Sequence, residues 1–415
     1  MSYKNRVLYL ISRENILQPG VLKSQVIDLA GHIKKEGRGT DVFILNLPSL
    51  HSFFKYFRNY RDIKDYAHNL NIRLLIIPIL PVGRSIMPVW AIPFFLIQTL
   101  PATLFFVVKY RINIINARGY LSALVSYFIK KTGLNIRVVF ENHGPYLLEG
   151  ITHNRWQESD SDYNFWVKLE KHLFDKSDYI VARSQGLLDH TQKISPLTPS
   201  LVIPCSVNEK LFAPSVRNRV RKREELGLKE HFVVVYAGSL GSFHSPDFLA
   251  ETYSLIRKKL PDPYFLIVTH SDPEDLILNL EKKGIGQSEF KVIQNPSNLG
   301  EIISVGDAAL HVYSDLPVTP YVLAVKFAEY SAAGLPVIVT KNLTSITNVV
   351  DESQCGVIVD TFDPKDIQVK MQKLVKERET FKKNALKLAR EYFSVRVCAK
   401  KYLEIYDELT QKSKS

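Results

Sequence analysis

Short, almost wholly apolar runs recur along the chain, and longer segments with apolar positions three or four residues apart fall between them. In the first half the runs cover residues 7–11, 41–47, 74–79, 112–116 and 138–141. Val26, Leu29, Ala30 and Ile33 mark one face of a helix after the first run, and residues 117–131 mark another helix. The second half repeats the alternation with runs at 232–237, 264–269, 290–293, 309–313, 336–340 and 356–359, and residues 363–409 are largely helical. Strands this apolar have both faces covered, and strand, helix, strand order is how a parallel sheet is wired. The pattern therefore predicts an α/β protein.

The segment 307–340, DAALHVYSDLPVTPYVLAVKFAEYSAAGLPVIVT, is the most informative unit. Thr319 reads as an N-cap and Pro320 as the first helical residue, with a helix running to Ala333. Gly334 supplies a left-handed stop, and Pro336 prevents continuation. Lys326 and Glu329 share one face of that helix. A lysine near the positive end of a helix conflicts with the dipole, and an anion bound there removes the conflict. A carboxylate one turn further on suits two vicinal hydroxyls. An ordinary Lys326–Glu329 salt bridge is the other reading of the same spacing.

The string VKFAEYSAAGLPVIV resembles the signature of retaining glycosyltransferases of family 4, which have the GT-B fold. That resemblance implies two Rossmann-like, doubly wound parallel-sheet domains facing a cleft. It divides the chain into an acceptor-side domain at 1–207, a nucleotide-sugar domain at 208–390 and a C-terminal helix within 391–415 that returns to the first domain. In the family the glutamate matching Glu329 holds the donor ribose. The stretch NHGPYLLEG resembles the family's His-Gly loop, which gives His143 a contact to the transferred sugar. The first glycine loop brings Gly20 near donor phosphates and acceptor, and GSLGSFH supplies Gly238, Ser239, Gly241 and His244 around the diphosphate together with Lys326. In LVIPCSVNEKLFAP, Ile203, Pro204, Val207, Phe212 and Pro214 match the family's crossing between domains, while Cys205, Ser206 and Asn208 depart from it.

Three further departures matter. Ser239 stands where an arginine is usual, His244 is the nearest basic group where a lysine is expected, and Tyr321 occupies the place of a second glutamate. Asp315 lies close in sequence, with no spacing that makes it a substitute. Asp160 and Asp162 form a D-x-D in a polar run after Trp156, which reads as a solvated loop rather than a manganese site.

With 415 residues, the chain is long enough for two cores. Cys205, Cys355 and Cys398 are far apart, without metal-ligand spacing, and read as reduced thiols in a cytoplasmic protein. The run at 7–11 is too short for a secretory signal and is followed at once by charges. Of the net charge of +12, nearly all lies in residues 1–150, which hold 19 Lys or Arg against 8 Asp or Glu. Such a surface favours anionic partners, either lipid headgroups or lipid-linked diphosphates. Nucleic acid is disfavoured because no recognition motif accompanies the charge. No charge occurs between Arg84 and Lys109, and Pro88, Pro93 and Pro101 interrupt that stretch. It is open to three readings: a half-buried helix, shallow insertion into one leaflet, or a membrane span.

Together these features lead to a hexosyltransferase that moves sugar from a nucleotide diphosphate sugar to a glycan or lipid-linked hydroxyl in surface polysaccharide or glycolipid assembly. UDP is preferred over GDP by family frequency, no metal cofactor is expected, and the placement is cytoplasmic and peripheral to the membrane. A degenerate GT-B binding protein and a GT-B sugar epimerase remain the alternatives.

Overall fold

The computed structural model describes residues 5–81, 86–241, 243–296 and 298–411. Arg84, expected at one edge of the apolar stretch, lies outside these residues, as do the last four of the chain. The chain divides into two compact units, Met1–Ser206 with Val395–Ser415, and Val207–Ser394.

The first unit is built on seven parallel strands: β1 (Asn5–Ser12), β2 (Thr40–Leu47), β3 (Arg73–Ile76), β4 (Ile114–Arg118), β5 (Arg137–Asn142), β6 (Tyr179–Ala182) and β7 (Ser200–Val202). Their order across the sheet is β3-β2-β1-β4-β5-β6-β7, so the direction of winding reverses between β1 and β4. The period-2 geometry of a strand sends Val7, Tyr9 and Ile11 to one face and Leu8 and Leu10 to the other. The Val7 face is covered by the helices Leu29–Glu36 and Val395–Gln411. The latter presents Cys398, Tyr402, Ile405, Tyr406 and Leu409, a helical stripe of buried side chains.

The opposite face is covered in part by the apolar helix Ile92–Tyr110. Ile92, Phe95, Thr99, Thr103 and Phe106 point inward, and both threonine hydroxyls donate to the carbonyl four residues back, which satisfies them inside the core. Pro93 sits in the first turn, where its missing N–H is not needed, and Pro101 is accommodated mid-helix. The outward face is also apolar. Trp90 just before the helix is 66% exposed and Ile97 71%, with Phe94, Phe105 and Val108 exposed beside them.

The second unit carries β8 (Phe232–Ala237), β9 (Pro263–Thr269), β10 (Phe290–Gln294), β11 (Ala308–His311), β12 (Val337–Thr340) and β13 (Gly356–Val359), all parallel. The order β10-β9-β8-β11-β12-β13 reverses between β8 and β11. Val233 and Val235 pack against the helix Val325–Ala332, while Val234 and Tyr236 pack under the helix Pro246–Arg257.

One element starts later than the sequence predicts. Thr319–Tyr321 is a single 3-10 turn, residues 322–324 are extended at Val322 and Ala324, and the α-helix begins only at Val325. The reason is visible at Thr319. Its hydroxyl donates to the Ser314 carbonyl at 2.7 Å and accepts from the Leu316 N–H at 3.2 Å, so it closes the preceding loop instead of capping a helix.

Candidate functional site

In open α/β sheets the groove that can hold a ligand forms beyond the carboxyl ends of the strands, where the winding reverses. The second unit's Gly238, His244 and Lys326 gather at that point, and in the first unit His143 lies there while Gly20 does not.

In the second unit β8 ends in Gly238, whose φ of 155° and close surroundings both favour glycine. A Cβ there would lie 2.6 Å from the Lys326 Nζ. Lys326 comes from the first turn of the helix Val325–Ala332, packed beside β8. It is 8% exposed, and its Nζ lies 3.4 Å from the Tyr236 hydroxyl and 3.3 Å from His244 Nε2. The rings of Tyr236 and Tyr313 flank it, with centroids 4.7 and 5.4 Å from Nζ. Among the described residues no carboxylate lies within 4.0 Å of this ammonium, so the spacing of Lys326 and Glu329 does not produce a closed salt bridge.

The electrostatics follow from that placement. Burial lowers the Lys326 pKa to about 7, with Glu329 opposing the fall. Burial likewise raises half-buried Glu329 to about 7, with Lys326 opposing the rise. His244 falls to about 3 through burial and the neighbouring lysine, so it is neutral and its Nε2 can accept from Lys326. The helix has no side-chain cap, because Ala324 occupies that position. Its first N–H groups and a lysine poor in counter-charge therefore converge beside the glycine loop, an arrangement suited to a phosphate.

Ser239 and Gly241 are exposed on that loop, the first accepting from the Tyr236 hydroxyl through its carbonyl and the second with φ of 154°. Asp315 is exposed on the following loop, and Tyr321 sits half-buried in the 3-10 turn. A cavity of about 80 Å³ lined by Asp307, Gly334 and Arg378 lies at the other end of the Lys326 helix and includes none of the expected site residues.

In the first unit a cavity of about 410 Å³ opens where β1, β4 and β5 end. His143, Arg13, Glu14, Arg118, Tyr146 and Glu149 contribute to its lining. Gly20 does not: it lies on an exposed loop with φ of 140° and open space around its missing side chain. His143 Nε2 is 3.0 Å from Glu141 Oε2, and Arg183 Nη2 reaches the same oxygen at 3.1 Å. The other oxygen accepts from Asn116 at 2.6 Å and from the Tyr402 hydroxyl at 2.5 Å. Burial alone would raise the Glu141 pKa, but Arg183, His143 and Arg118 hold it well below the usual carboxylate range.

Sequence reading did not find Tyr236, Tyr313, Glu141, Arg183 or Tyr402. Glu141 stands two residues before His143, a signal that was available; Tyr236, Tyr313 and Arg183 become neighbours through the sheet order, and Tyr402 through the packing of the terminal helix Val395–Gln411. Of the D-x-D, Asp160 is exposed in the turn before the helix Ser161–Lys176 and accepts from Gln157 N at 2.7 Å, as a solvated loop would have it, whereas Asp162 lies in the first turn of that helix and accepts from Val89 N at 3.1 Å.

Residues 24–211 match the profile described as Glycosyltransferase Family 4, and residues 218–388 match Glycosyl transferases group 1. No curated protein matches the sequence. Similar solved structures include a glycosyltransferase from Rickettsia africae, with 17% identity, TM-score 0.73 and coverage of 98% of each chain. Anabaena HepE in complex with UDP has 15% identity and TM-score 0.69, covering 97% of this chain and 100% of its own. Sucrose-phosphate synthase from Thermosynechococcus elongatus has 18% identity and TM-score 0.68, covering 98% of this chain and 100% of its own. At these identities the likeness concerns the fold.

Proposed function

The chain belongs to the group 1 glycosyltransferases, with a family 4 first domain and the GT-B fold, and from that premise we propose that it is a retaining hexosyltransferase using a nucleoside diphosphate sugar. UDP is the preferred carrier; HepE was solved with UDP, and the family frequency points the same way. The acceptor is a hydroxyl of a glycan or lipid-linked sugar in surface polysaccharide or glycolipid assembly.

The observation that carries this reading is the meeting of Gly238, Lys326 and Glu329 at the β8/β11 reversal. In the reaction the bond from the sugar C1 to the diphosphate breaks as a bond to the acceptor oxygen forms, and the hydroxyl proton passes to the departing diphosphate. The protein's part is to meet the growing negative charge. Lys326 and the N–H groups of Val325 and Lys326 do so from a buried, preorganised position. Gly238, Ser239 and Gly241 let the backbone approach the diphosphate, and neutral His244 orients the Lys326 ammonium. Gly20 is the first domain's contribution near the phosphates. Glu329 accepts from the two ribose hydroxyls, and His143 contacts the sugar. With Lys326 and the helix as counter-charge the donor binds without a metal, so a chelator leaves turnover unchanged.

The acceptor side works at an anionic membrane on the cytoplasmic face. The exposed row of Trp90, Phe94, Ile97, Phe105 and Val108 supports shallow insertion, with Lys109 over the Phe105 ring at 5.3 Å as the adjoining cation. A panel of UDP and GDP sugars scored by release of nucleoside diphosphate, with Glu329→Ala as control, tests the reaction. Release that needs acceptor and is lost in the control supports it. Binding of neither UDP nor GDP would favour a degenerate scaffold, the reading Ser239 and Tyr321 motivate, and turnover without acceptor would favour an epimerase.

A further inference from the structure

His143 is expected to contact sugar, but its neighbourhood determines in which chemical form. Glu141 is 1% exposed and ionised, because its two oxygens receive Asn116, Tyr402, Arg183 and His143 while Arg118 Nη1 stands 3.7 Å away. An ionised carboxylate only accepts, so the ring nitrogen 3.0 Å from it must be the donor, Nε2–H. A second proton on the ring would face Arg118 and Arg183, and burial with these two cations keeps His143 down at about 3 against the pull of Glu141. Glu14 and Glu149 also line the cavity. Glu14 is engaged by Arg118 Nε at 3.0 Å, and burial raises the Glu149 pKa with Glu14 adding to the rise. The ring is a quarter exposed, at 25%, and with Nε2 committed Nδ1 is the nitrogen left for a ligand.

We propose that Glu141, itself held by Tyr402 from the terminal helix Val395–Gln411 and by Arg183, is a positioning residue that fixes His143 in the Nε2–H tautomer, so that His143 Nδ1 accepts a hydrogen bond from a sugar hydroxyl and does not donate a proton. This rests on the transferase reading for its purpose, though the tautomer itself does not. It also gives the terminal helix a role at the first unit's cavity. Tyr402 stands 261 residues from Glu141, and the helix that carries it packs on β1 and the helix Leu29–Glu36.

Nitrogen-15 NMR of the full-length protein labelled at histidine tests the assignment, with His143→Asn identifying the signal. The expected spectrum has a protonated Nε2 and a bare Nδ1, unchanged from pH 8 to pH 5. Tyr402→Phe, which keeps the buried ring, strips one donor from Glu141, so the carboxylate pulls harder on His143 and its pKa rises by up to about one unit. In turnover assays the same variant lowers kcat by about 3–10-fold with donor KM little changed. An Nδ1–H tautomer, a doubly protonated ring at pH 6, or a Tyr402→Phe enzyme with wild-type kcat would overturn the proposal. Because the spectra need no turnover, loss of the tautomer and loss of the proposed reaction are separate results.

Discussion

Replacing Lys326 by methionine separates ligand binding from stability. The buried lysine holds its proton only to about 7, against 10.5 for the solvated group, because burial removes its water and Glu329 compensates only in part. At pH 7 that difference is a penalty of at most about 4 kcal/mol on the empty fold. Methionine fills a similar volume without charge but leaves Tyr236 and His244 without their Lys326 contact, so a net gain of about 1–3 kcal/mol is expected. For a unit of this size that is a rise of a few degrees in Tm, read by calorimetry in the absence of ligand. The same variant loses a charge-assisted contact to diphosphate, about 10–100-fold in UDP affinity by titration calorimetry. A variant that melts lower and binds UDP as well as wild type would show that Lys326 is a structural cation, and the donor-site reasoning would fail.

Other outcomes follow from the same residues. Glu329 and Lys326 make opposite pH-dependent contributions to the stability of the ligand-free protein, superposed on a rise up to about pH 6.5 from His143 and His244, which the fold holds near 3. Glu329, raised to about 7 by burial, carries a proton that the unfolded chain lacks, so its own contribution falls from about pH 4.5 to 7. Lys326 lacks a proton that the unfolded chain keeps, so stability rises from about pH 7 to 10.5, and Lys326→Met should abolish that alkaline rise in a Tm-against-pH series. Glu329→Ala should lower UDP affinity about 10-fold and bind UDP and 2′,3′-dideoxy-UDP alike, whereas wild type prefers UDP; equal preference in wild type would refute the ribose role. Gly238→Ala places a methyl 2.6 Å from Lys326 Nζ at a φ of 155° and should abolish measurable UDP binding while circular dichroism stays native. The triple change Trp90→Ser, Phe94→Ser and Ile97→Ser should reduce binding to phosphatidylglycerol vesicles at least about 30-fold without lowering Tm; undiminished sedimentation with the vesicles would rule out that surface.

The sheets were legible because buried parallel strands are written as continuous apolar runs, and 232–237 in the sequence became β8 without change. Boundaries were less so. Thr319 and Pro320 carry every local mark of a helix start, yet the threonine hydroxyl is spent on Ser314 and Leu316, and the helix waits until Val325. That delay puts Lys326 in the first turn, nearer the positive end than the sequence indicated. Lys326, Glu329, His244 and Gly238 were legible as candidates because they lie in short local motifs, and the structure brings Lys326, His244 and Gly238 together. Tyr313 and Tyr236, which flank the lysine, were missed because strand adjacency, not sequence spacing, brings them there. Tyr402 is the extreme case, a hydroxyl delivered to Glu141 by a helix from the far end of the chain. Gly20 is legible only as far as its loop: the glycine sits on an exposed loop with a φ of 140°, while the cavity of its unit is lined by other residues.

The central claim is that the uncapped end of the Lys326 helix receives a sugar nucleotide's diphosphate. A crystal structure of the protein soaked with UDP tests it most directly. The account predicts phosphate oxygens about 3 Å from Lys326 Nζ and from the first N–H groups of that helix, with ribose hydroxyls on Glu329. UDP seated elsewhere, with Lys326 still turned to Tyr236 and His244 and Glu329 empty of ligand, would contradict it.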